Sequence, residues 1–261
     1  MSGDTLEGWA REYIETTDLE AKFASGVPNA LDPSARPQRL DAPGRPASLT
    51  VAQTSPKTPG PEALRAPARR AQVLHAFLHH ELQAAELMAW AILAFSDAPP
   101  AFRKGLGRIA SDEIRHMSLY RSHLGALGFA FGDFPVRDWF WRRVPSCATP
   151  SQFVATLGIG FEGANLDHAA RFADRFRAVG DEAGAVLQER IAAEEIGHVR
   201  FAVEWLRRFD DAEVTFEGWR ARLPAPLSPI LMRGDPLNRE ARRKSGLDAA
   251  FVDALADWTP A

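Results

Sequence analysis

Two Glu-x-x-His motifs are the residues of this chain whose types and spacing best suit chemistry. Glu113 precedes His116 by three positions, and Glu195 precedes His198 by three. Residues three apart on an α-helix share one face, so each motif can present a carboxylate and an imidazole to a single point. Carboxylate and imidazole donors together bind divalent metal ions such as iron and manganese.

An isolated glutamate precedes each motif at nearly the same distance. Glu81 lies 32 residues before Glu113, and Glu162 lies 33 residues before Glu195. The chain therefore shows two matching halves, each predicted to be a helix with one Glu followed by a helix with Glu-x-x-His. Two such hairpins placed face to face would bring four carboxylates and two imidazoles to the centre of a bundle, which is the ligand set of ferritin-like di-iron and di-manganese proteins.

Inward-pointing acids of this kind need a compensating charge, because an isolated carboxylate in a dry interior is strongly unfavourable or becomes protonated. Oxygen-rich sites with one imidazole per metal favour iron or manganese over zinc or copper. We therefore predict a cofactor of two iron ions, with Mn/Fe and Mn/Mn pairs left open. The alternative is that the acids lie on solvated faces and the histidines are ordinary core residues. The six predicted ligands are Glu81, Glu113, His116, Glu162, Glu195 and His198.

The first long helix contains a second glutamate that could serve as the metal ligand. Glu86 follows Glu81 by five residues and lies on a different part of the helical wheel. Glu81 is preferred because it matches the spacing in the other half. His79 and His80 flank Glu81, and one of them supporting the ligands is as plausible as a surface or packing role.

Three further residues are candidates for supporting roles. Asp112 precedes Glu113, and Glu194 precedes Glu195. A ligating imidazole usually donates its other N–H to a carboxylate or carbonyl. We hypothesise that Asp112 orients His198 and that Glu194 orients His116, with solvated surface acids as the alternative. Tyr120, four residues beyond His116, is a weak candidate for a catalytic phenol and is better interpreted as a core tyrosine.

Two other features resemble functional motifs without their context. Gly158, Gly160 and Gly163 fit the G-x-G-x-x-G pattern of dinucleotide-binding proteins, but that pattern has meaning only after a strand and at the start of a helix. Here it lies inside a helical stretch, where glycines favour close helix packing. Cys147, the single cysteine, has no histidine pattern near it and is interpreted as a buried or incidental thiol.

Apolar spacing and proline define the elements that must position these residues. Thr149 and Pro150 predict an N-cap and the first residue of the third long helix. Between the second and third long helices, an aromatic-rich link is expected to pack on the helices. The four long helices are predicted at residues 71–95, 101–127, 150–179 and 181–209.

The N-terminal and C-terminal segments of the chain predict different local structures. Residues 5–23 predict a short N-terminal helix, and the proline-rich residues 28–67 predict an extended arm, with a disordered linker equally open. Its only strand-like patch is at 47–51. In the tail, Asp235 and Pro236 predict the start of a helix that ends at Gly246, and a second short helix begins at 247–248.

These elements together predict an all-α fold, a ferritin-like four-helix bundle with an N-terminal helix, an extended arm and short C-terminal helices. The predicted divisions are residues 1–67 for the N-terminal helix and arm, residues 68–211 for the bundle, and residues 212–261 for a C-terminal helical extension.

Composition excludes several classes of protein. The 261 residues carry 31 basic and 34 acidic side chains, a net charge of −3, so a bulk electrostatic nucleic-acid binder is not expected. One cysteine excludes a disulfide framework. No apolar run approaches the about 20 residues that a membrane helix needs, and no signal peptide is visible, so a cytoplasmic protein is expected.

Most of the chain resembles the bacterial ferritin-like family of uncharacterised proteins that is often placed near the tRNA isopentenyl-adenosine hydroxylases. The resemblance implies a ferritin-like bundle with a dinuclear iron centre, and the six predicted ligands match position by position. It names no settled substrate, and this chain departs from the family pattern of alanine and arginine after Glu162 with Gly163 and Ala164. The resemblance is carried by residues 44–46, 75–87, 112–117, 131–136, 162, 166–167, 194–199 and 236–242.

The leading functional hypothesis is an O2-dependent oxidoreductase of the hydroxylase or oxygenase type. It would act on a small-molecule substrate that the sequence does not identify, and it would need an external electron donor, since no flavin, haem or iron–sulfur signature is present. The alternatives are iron or manganese binding, peroxide scavenging, a tRNA-modifying hydroxylase, and a metal-free interaction bundle. A homodimer stays open.

Overall fold

The computed structural model describes residues 3–24, 26–54 and 58–260. Within these ranges the regular structure is helical, and pairing of extended backbone is confined to an isolated bridge between Val51 and Val136. The all-α prediction is therefore confirmed. The α-helices are α1 Leu6–Glu15, α2 Leu19–Phe23, α3 Pro67–Ala94, α4 Pro100–Ala126, α5 Pro150–Phe153, α6 Gly163–Ala178, α7 Glu182–Asp210, α8 Phe216–Arg220, α9 Arg239–Lys244 and α10 Ala249–Asp257, with 3₁₀ turns at Pro61–Arg65, Val144–Ser146 and Pro229–Met232.

The chain divides into two compact units, residues 1–145 and residues 146–261. Each unit contains one of the two halves recognised in the sequence: the first holds Glu81 and the Glu113 motif, and the second holds Glu162 and the Glu195 motif. The predicted division into three segments stays a prediction.

In the first unit, α3 and α4 pack side by side as a helical hairpin. α1 packs on α3, and α2 packs on α4. The hairpin core is apolar, with Leu78, Leu82, Trp90 and Leu106 almost completely buried. Apolar residues therefore surround the face of α3 that carries Glu81.

The N-terminal helix predicted over residues 5–23 is instead two helices, which corrects that prediction. Thr16, the residue after α1, is extended, and Asp18 caps α2 by accepting hydrogen bonds from the amides of Glu20 and Ala21. Asp residues favour the N-cap position because their carboxylate accepts from backbone amides that have no partner in the first turn of a helix. Asp18 therefore favours the start of α2 over a continuation of α1.

The described part of the arm is packed against the first unit, which favours the extended arm over the disordered linker. Gly44 N donates to Ile14 O at 2.7 Å, and Gln38 N donates to Leu93 O at 3.0 Å. The link, here residues 128–143, packs as predicted. The Trp141 indole donates to Asp41 O at 3.2 Å, so the link and the arm cover the hairpin together.

In the second unit, Thr149 caps α5 and Pro150 is its first residue, as predicted. The expected single helix over 150–179 is nonetheless interrupted. The backbone passes into a π-helical segment, Val154–Glu162, before α6 begins. α7 packs along both the π-helical segment and α6.

The tail differs from its prediction at one point. Asp235–Pro236 is a cis peptide, and α9 begins at Arg239, where Asn238 accepts from the amide of Ala241. Gly246, at φ +96°, ends this region as predicted, and Asp248 caps α10.

None of the helices in the described part of the chain has both the length and the apolar character needed to cross a bilayer.

Candidate metal centre

α3 and α4 place three of the predicted ligands together in the first unit. Glu81 comes from α3, while Glu113 and His116 come from one face of α4. One ligand atom of each residue lies within 4.8 Å of those of the other two. His116 Nδ1 is 3.4 Å from Glu113 Oε2 and 3.6 Å from Glu81 Oε2. All three side chains are buried, with exposures of 5% or less.

Burial and mutual repulsion set the electrostatics of this group. Burial and the neighbouring charge of Glu113 raise the pKa of Glu81 well above its ordinary value. Burial alone would lower the pKa of His116, but the carboxylates of Glu113 and Glu81 outweigh it and raise that pKa to about 12. The two buried carboxylates therefore favour a positive charge beside them.

This donor set fits a divalent metal ion. Two carboxylates and one imidazole offer oxygen and nitrogen ligands, which suit iron and manganese. The Glu-x-x-His spacing puts both α4 donors on one face, and α3 supplies the third from the facing helix. The site is lined by backbone that is entirely helical, so its donors are held on rigid elements.

The rival glutamate in α3 has other partners. Glu86 Oε1 accepts from Lys22 Nζ at 2.5 Å and also from Arg45 Nη1. Burial would raise the pKa of Glu86, but these two cations hold it below its ordinary value. The structure thus places Glu81, and not Glu86, beside His116.

In the second unit, Glu195 and His198 lie together on α7, with His198 Nδ1 2.9 Å from Glu195 Oε2. Both are buried. Glu162 is the last residue of the π-helical segment and is 5% exposed. Among the described residues of this unit, Glu162 does not join a three-ligand group of the kind found in the first unit.

The glycines around Glu162 serve close packing. A Cβ at Gly158 would lie 2.3 Å from Ala202 Cβ of α7, and a Cβ at Gly160 would lie 2.7 Å from Met232 Sδ. All three residues of the G-x-G-x-x-G pattern lie within helix. They are therefore not the strand-to-helix turn that binds a dinucleotide.

A buried ion pair involves Asp167, which follows Glu162 by five residues. Arg242 Nη2 donates to Asp167 Oδ2 at 2.7 Å, and both side chains are fully buried. A Cβ at Gly163 would lie 3.2 Å from Arg242 Nη1, so the glycine leaves room for the guanidinium. The departure from the family pattern at position 163 thus has a packing reason in this structure.

The predicted supporting acids form local ion pairs on their own helices. Asp112 Oδ1 is 2.8 Å from Arg115 Nη2, and Glu194 Oε1 is 3.2 Å from Arg190 Nε. Asp112 is 44% exposed and Glu194 is 30% exposed. Their proposed action on the histidines of the other motif stays a prediction.

The remaining candidates have packing partners. Tyr120 is buried, with its ring 5.9 Å from that of Phe77. His79 Nε2 lies 3.3 Å from Asp138 Oδ1. His80 is exposed. Cys147 is buried, and its thiol lies 3.6 Å from Thr156 Oγ1, which agrees with a structural thiol.

The ion pairs of Glu86 with Lys22 and Arg45 were not predicted from the sequence. Lys22, Arg45 and Asp138 form a buried ionic network with Glu86, in which Arg45 Nη2 is 2.9 Å from Asp138 Oδ1. Arg45 was visible in the sequence as part of Gly44-Arg45-Pro46, but no local pattern links it to a residue 41 positions away.

Similarity to known proteins identifies a family for this chain, but the descriptions of that family and of the similar protein name no activity. The profile of the family described as "Protein of unknown function (DUF455)" matches residues 8–253. A Haemophilus influenzae protein described as uncharacterized is 27% identical over 201 residues, which cover 72% of this chain and 67% of that protein. No solved structure matches the chain.

Proposed function

The chain belongs to the DUF455 family, and from the Glu–Glu–His group in its first unit we propose that it is a metal-binding protein of the ferritin-like di-iron type. The finer proposal is an O2-dependent oxidoreductase that acts on a small molecule. The observation that carries the metal proposal is the convergence of Glu81, Glu113 and His116 in a buried, all-helical setting.

The second half supports the dinuclear part of the proposal. Glu162, Glu195 and His198 repeat the residue types and spacing of the first set, and all three are buried. This part rests on the repeated sequence pattern. Four carboxylates and two imidazoles, divided between two matching halves of a sequence, are the ligand set of two-metal ferritin-like proteins.

The chain's own residues would hold the metals and exclude water. Glu81, Glu113 and His116 would bind one side of the centre, and the burial of their side chains keeps bulk water from it. A pair of iron ions supplies oxidation chemistry with O2, and the protein supplies binding, position and a dry surrounding. Electrons would come from an external donor.

Metal analysis tests the binding proposal directly. Protein produced with added iron is expected to carry about two metal ions per chain. Glu81→Gln and His116→Gln should lose at least half of that content. Glu204→Gln, at an exposed position on α7, is the control. It should keep the wild-type metal content and the wild-type circular dichroism spectrum.

Two results would contradict the proposal. Wild-type protein that binds neither iron nor manganese would remove the metal function. Full metal content in both Glu81→Gln and His116→Gln would remove these residues from the site.

A separate experiment distinguishes an oxidoreductase from a protein that only handles the metal. The iron-loaded, reduced protein is exposed to O2 with a chemical reductant and a mixture of small aromatic and aliphatic substrates. Oxygen uptake that continues beyond oxidation of the bound iron, with a new product, supports the oxidoreductase. Uptake that ends once the iron is oxidised supports iron handling.

A further inference from the structure

A cleft in the first unit is lined by residues other than the proposed metal ligands. It is formed by the N-terminal half of α3 and by the link, and its volume is about 350 Å³. Cavities of this size hold single small organic molecules. Its principal lining residues are Gln72, His79, His80, Arg137, Trp139 and Phe140. Glu81, Glu113 and His116 do not line it.

One wall of the cleft is aromatic. The rings of His80 and Phe140 are 5.0 Å apart and inclined by 33°, and Trp139 meets Phe140 at 5.6 Å. Phe134 adds a further ring to the lining. Ring faces at these separations favour another flat ring beside them.

The charge of the cleft is positive. Arg137 lines it, and Arg137 Nε is buried without a hydrogen-bond partner among the described residues. Arg142 and Arg143 follow on the same link. Burial and the charges of Arg137 and Arg142 lower the pKa of Arg143. Positive charge therefore accumulates along this segment.

No acidic side chain from the described part of the chain lines the cleft. The nearest acid in sequence, Asp138, is held by Arg45 at 2.9 Å and by His79 at 3.3 Å. Arg137 is thus a guanidinium on the wall of the cleft for which the lining supplies no anion. Guanidinium groups bind carboxylate and phosphate groups through charge-assisted hydrogen bonds, so an anionic ligand would give this cation a partner.

We propose that this cleft binds a small aromatic anion, a molecule with one or two rings and a carboxylate or phosphate group. The ring stacks against Trp139 and Phe140, and the anionic group accepts from Arg137. None of the lining residues is one of the six proposed metal ligands.

Calorimetric titration of the full chain without added metal tests the site. The probes are indole-3-acetate for the carboxylate arm and AMP for the phosphate arm. Indole-3-ethanol and adenosine are their uncharged counterparts. We expect at least one anionic probe to bind, about tenfold or more tighter than its counterpart, because a charge-assisted hydrogen bond contributes on that scale.

Matched variants locate the binding. Arg137→Gln should weaken the anionic probe about tenfold and leave its uncharged counterpart nearly unchanged. Arg142→Gln, on the same link but outside the lining, should change binding less than about twofold. Trp139→Leu should weaken the anion and the uncharged counterpart alike, and Phe140→Leu replaces it if the tryptophan variant does not fold.

The titration results distinguish a carboxylate ligand, a phosphate ligand and the absence of a site. Binding of only indole-3-acetate assigns a carboxylate ligand, and binding of only AMP assigns a phosphate ligand. Absence of binding by both probes at about 5 mM, a threshold weaker than ordinary specific binding, overturns the proposal. Equal weakening by Arg137→Gln and Arg142→Gln also overturns it, because that result shows general charge attraction without a site.

Discussion

Lys22 Nζ lies 2.5 Å from Glu86 Oε1, and neither side chain is exposed to solvent. Arg45 binds the same carboxylate oxygen and also binds Asp138, which in turn contacts His79. The network therefore ties α2, α3, the arm and the link to one another through charges. Burial lowers the pKa of Lys22, and the charge of Glu86 opposes that shift.

Removal of the central carboxylate should destabilise the protein strongly. Glu86→Gln leaves Lys22 and Arg45 buried without their shared anion, and breaking a buried pair costs about 3–5 kcal/mol. Urea unfolding at pH 7 measures the change. Glu204→Gln, at an exposed site on α7, should stay within about 0.5 kcal/mol of the wild type. A loss below about 1 kcal/mol in Glu86→Gln would show that the ion pairs add little.

A buried histidine should make stability depend on pH. His75 Nε2 accepts from Gly132 N at 2.8 Å, and burial, together with His79, lowers the pKa of His75 to about 4. The unfolded histidine keeps a pKa of about 6.5. Between these values the unfolded chain binds more protons, so the free energy of unfolding rises with pH.

The size of this effect can be measured with one variant. The wild type should lose about 1 kcal/mol between pH 7 and pH 5 from this residue, after allowance for solvent screening. His75→Gln, which does not titrate, should show a correspondingly shallower pH dependence in urea unfolding. Parallel pH profiles for the two proteins would mean that His75 titrates normally when folded.

Close packing in the second unit makes one glycine hard to replace. Gly158→Ala would place a Cβ 2.3 Å from Ala202 Cβ, and overpacking of this kind costs about 1–3 kcal/mol. Adding Ala202→Gly should restore part of the loss in thermal unfolding. Gly125→Ala in α4, where no atom lies within 4 Å of the added Cβ, should be neutral or stabilising by up to about 1 kcal/mol. Equal stability of Gly158→Ala and the wild type would contradict the close approach.

One acid in α6 holds the tail segment in place. Asp167 accepts from Gly234 N at 2.8 Å, from Asn238 N at 2.7 Å and from Arg242. Asp167→Asn should lower stability by about 3–5 kcal/mol, because it leaves the Arg242 charge buried without an anion. Limited proteolysis should then cut at residues 233–246. Asp174→Asn, at an exposed position on the same helix, should resist proteolysis as the wild type does.

Local sequence signals predicted the long helices and several of their ends. Thr149 and Pro150 are the N-cap and first helical residue that their types indicated, because capping depends on neighbours within three positions. A helix start was predicted at residues 247–248, and Asp248 is the N-cap of α10. The same short-range rules explain why Glu113 and His116 share a face. Helical periodicity and capping residues are readable from one sequence.

Other features depend on contacts between distant residues. The repeated spacing favoured Glu81 over Glu86 as a ligand, but it did not reveal what Glu86 binds. That role depends on Lys22 and Arg45, which approach from the N-terminal region. The pair Asp235–Pro236 matches an N-cap pattern but adopts a cis peptide, with the true cap at Asn238. Glycine at 158 and 160 indicated close packing without revealing that the helix between Val154 and Glu162 is wound as a π-helix.

The π-helical segment Val154–Glu162 determines the directions in which the side chains of α6 point. Each hydrogen bond in a π-helix spans five residues instead of four, so α6 is out of step with the α-helical count begun at Pro150. Deleting a single residue from this stretch would turn each later side chain by about 100° relative to the residues before the stretch. Glu162 is the last residue of the stretch, so a change in the length of this segment would redirect its carboxylate without replacing Glu162 itself.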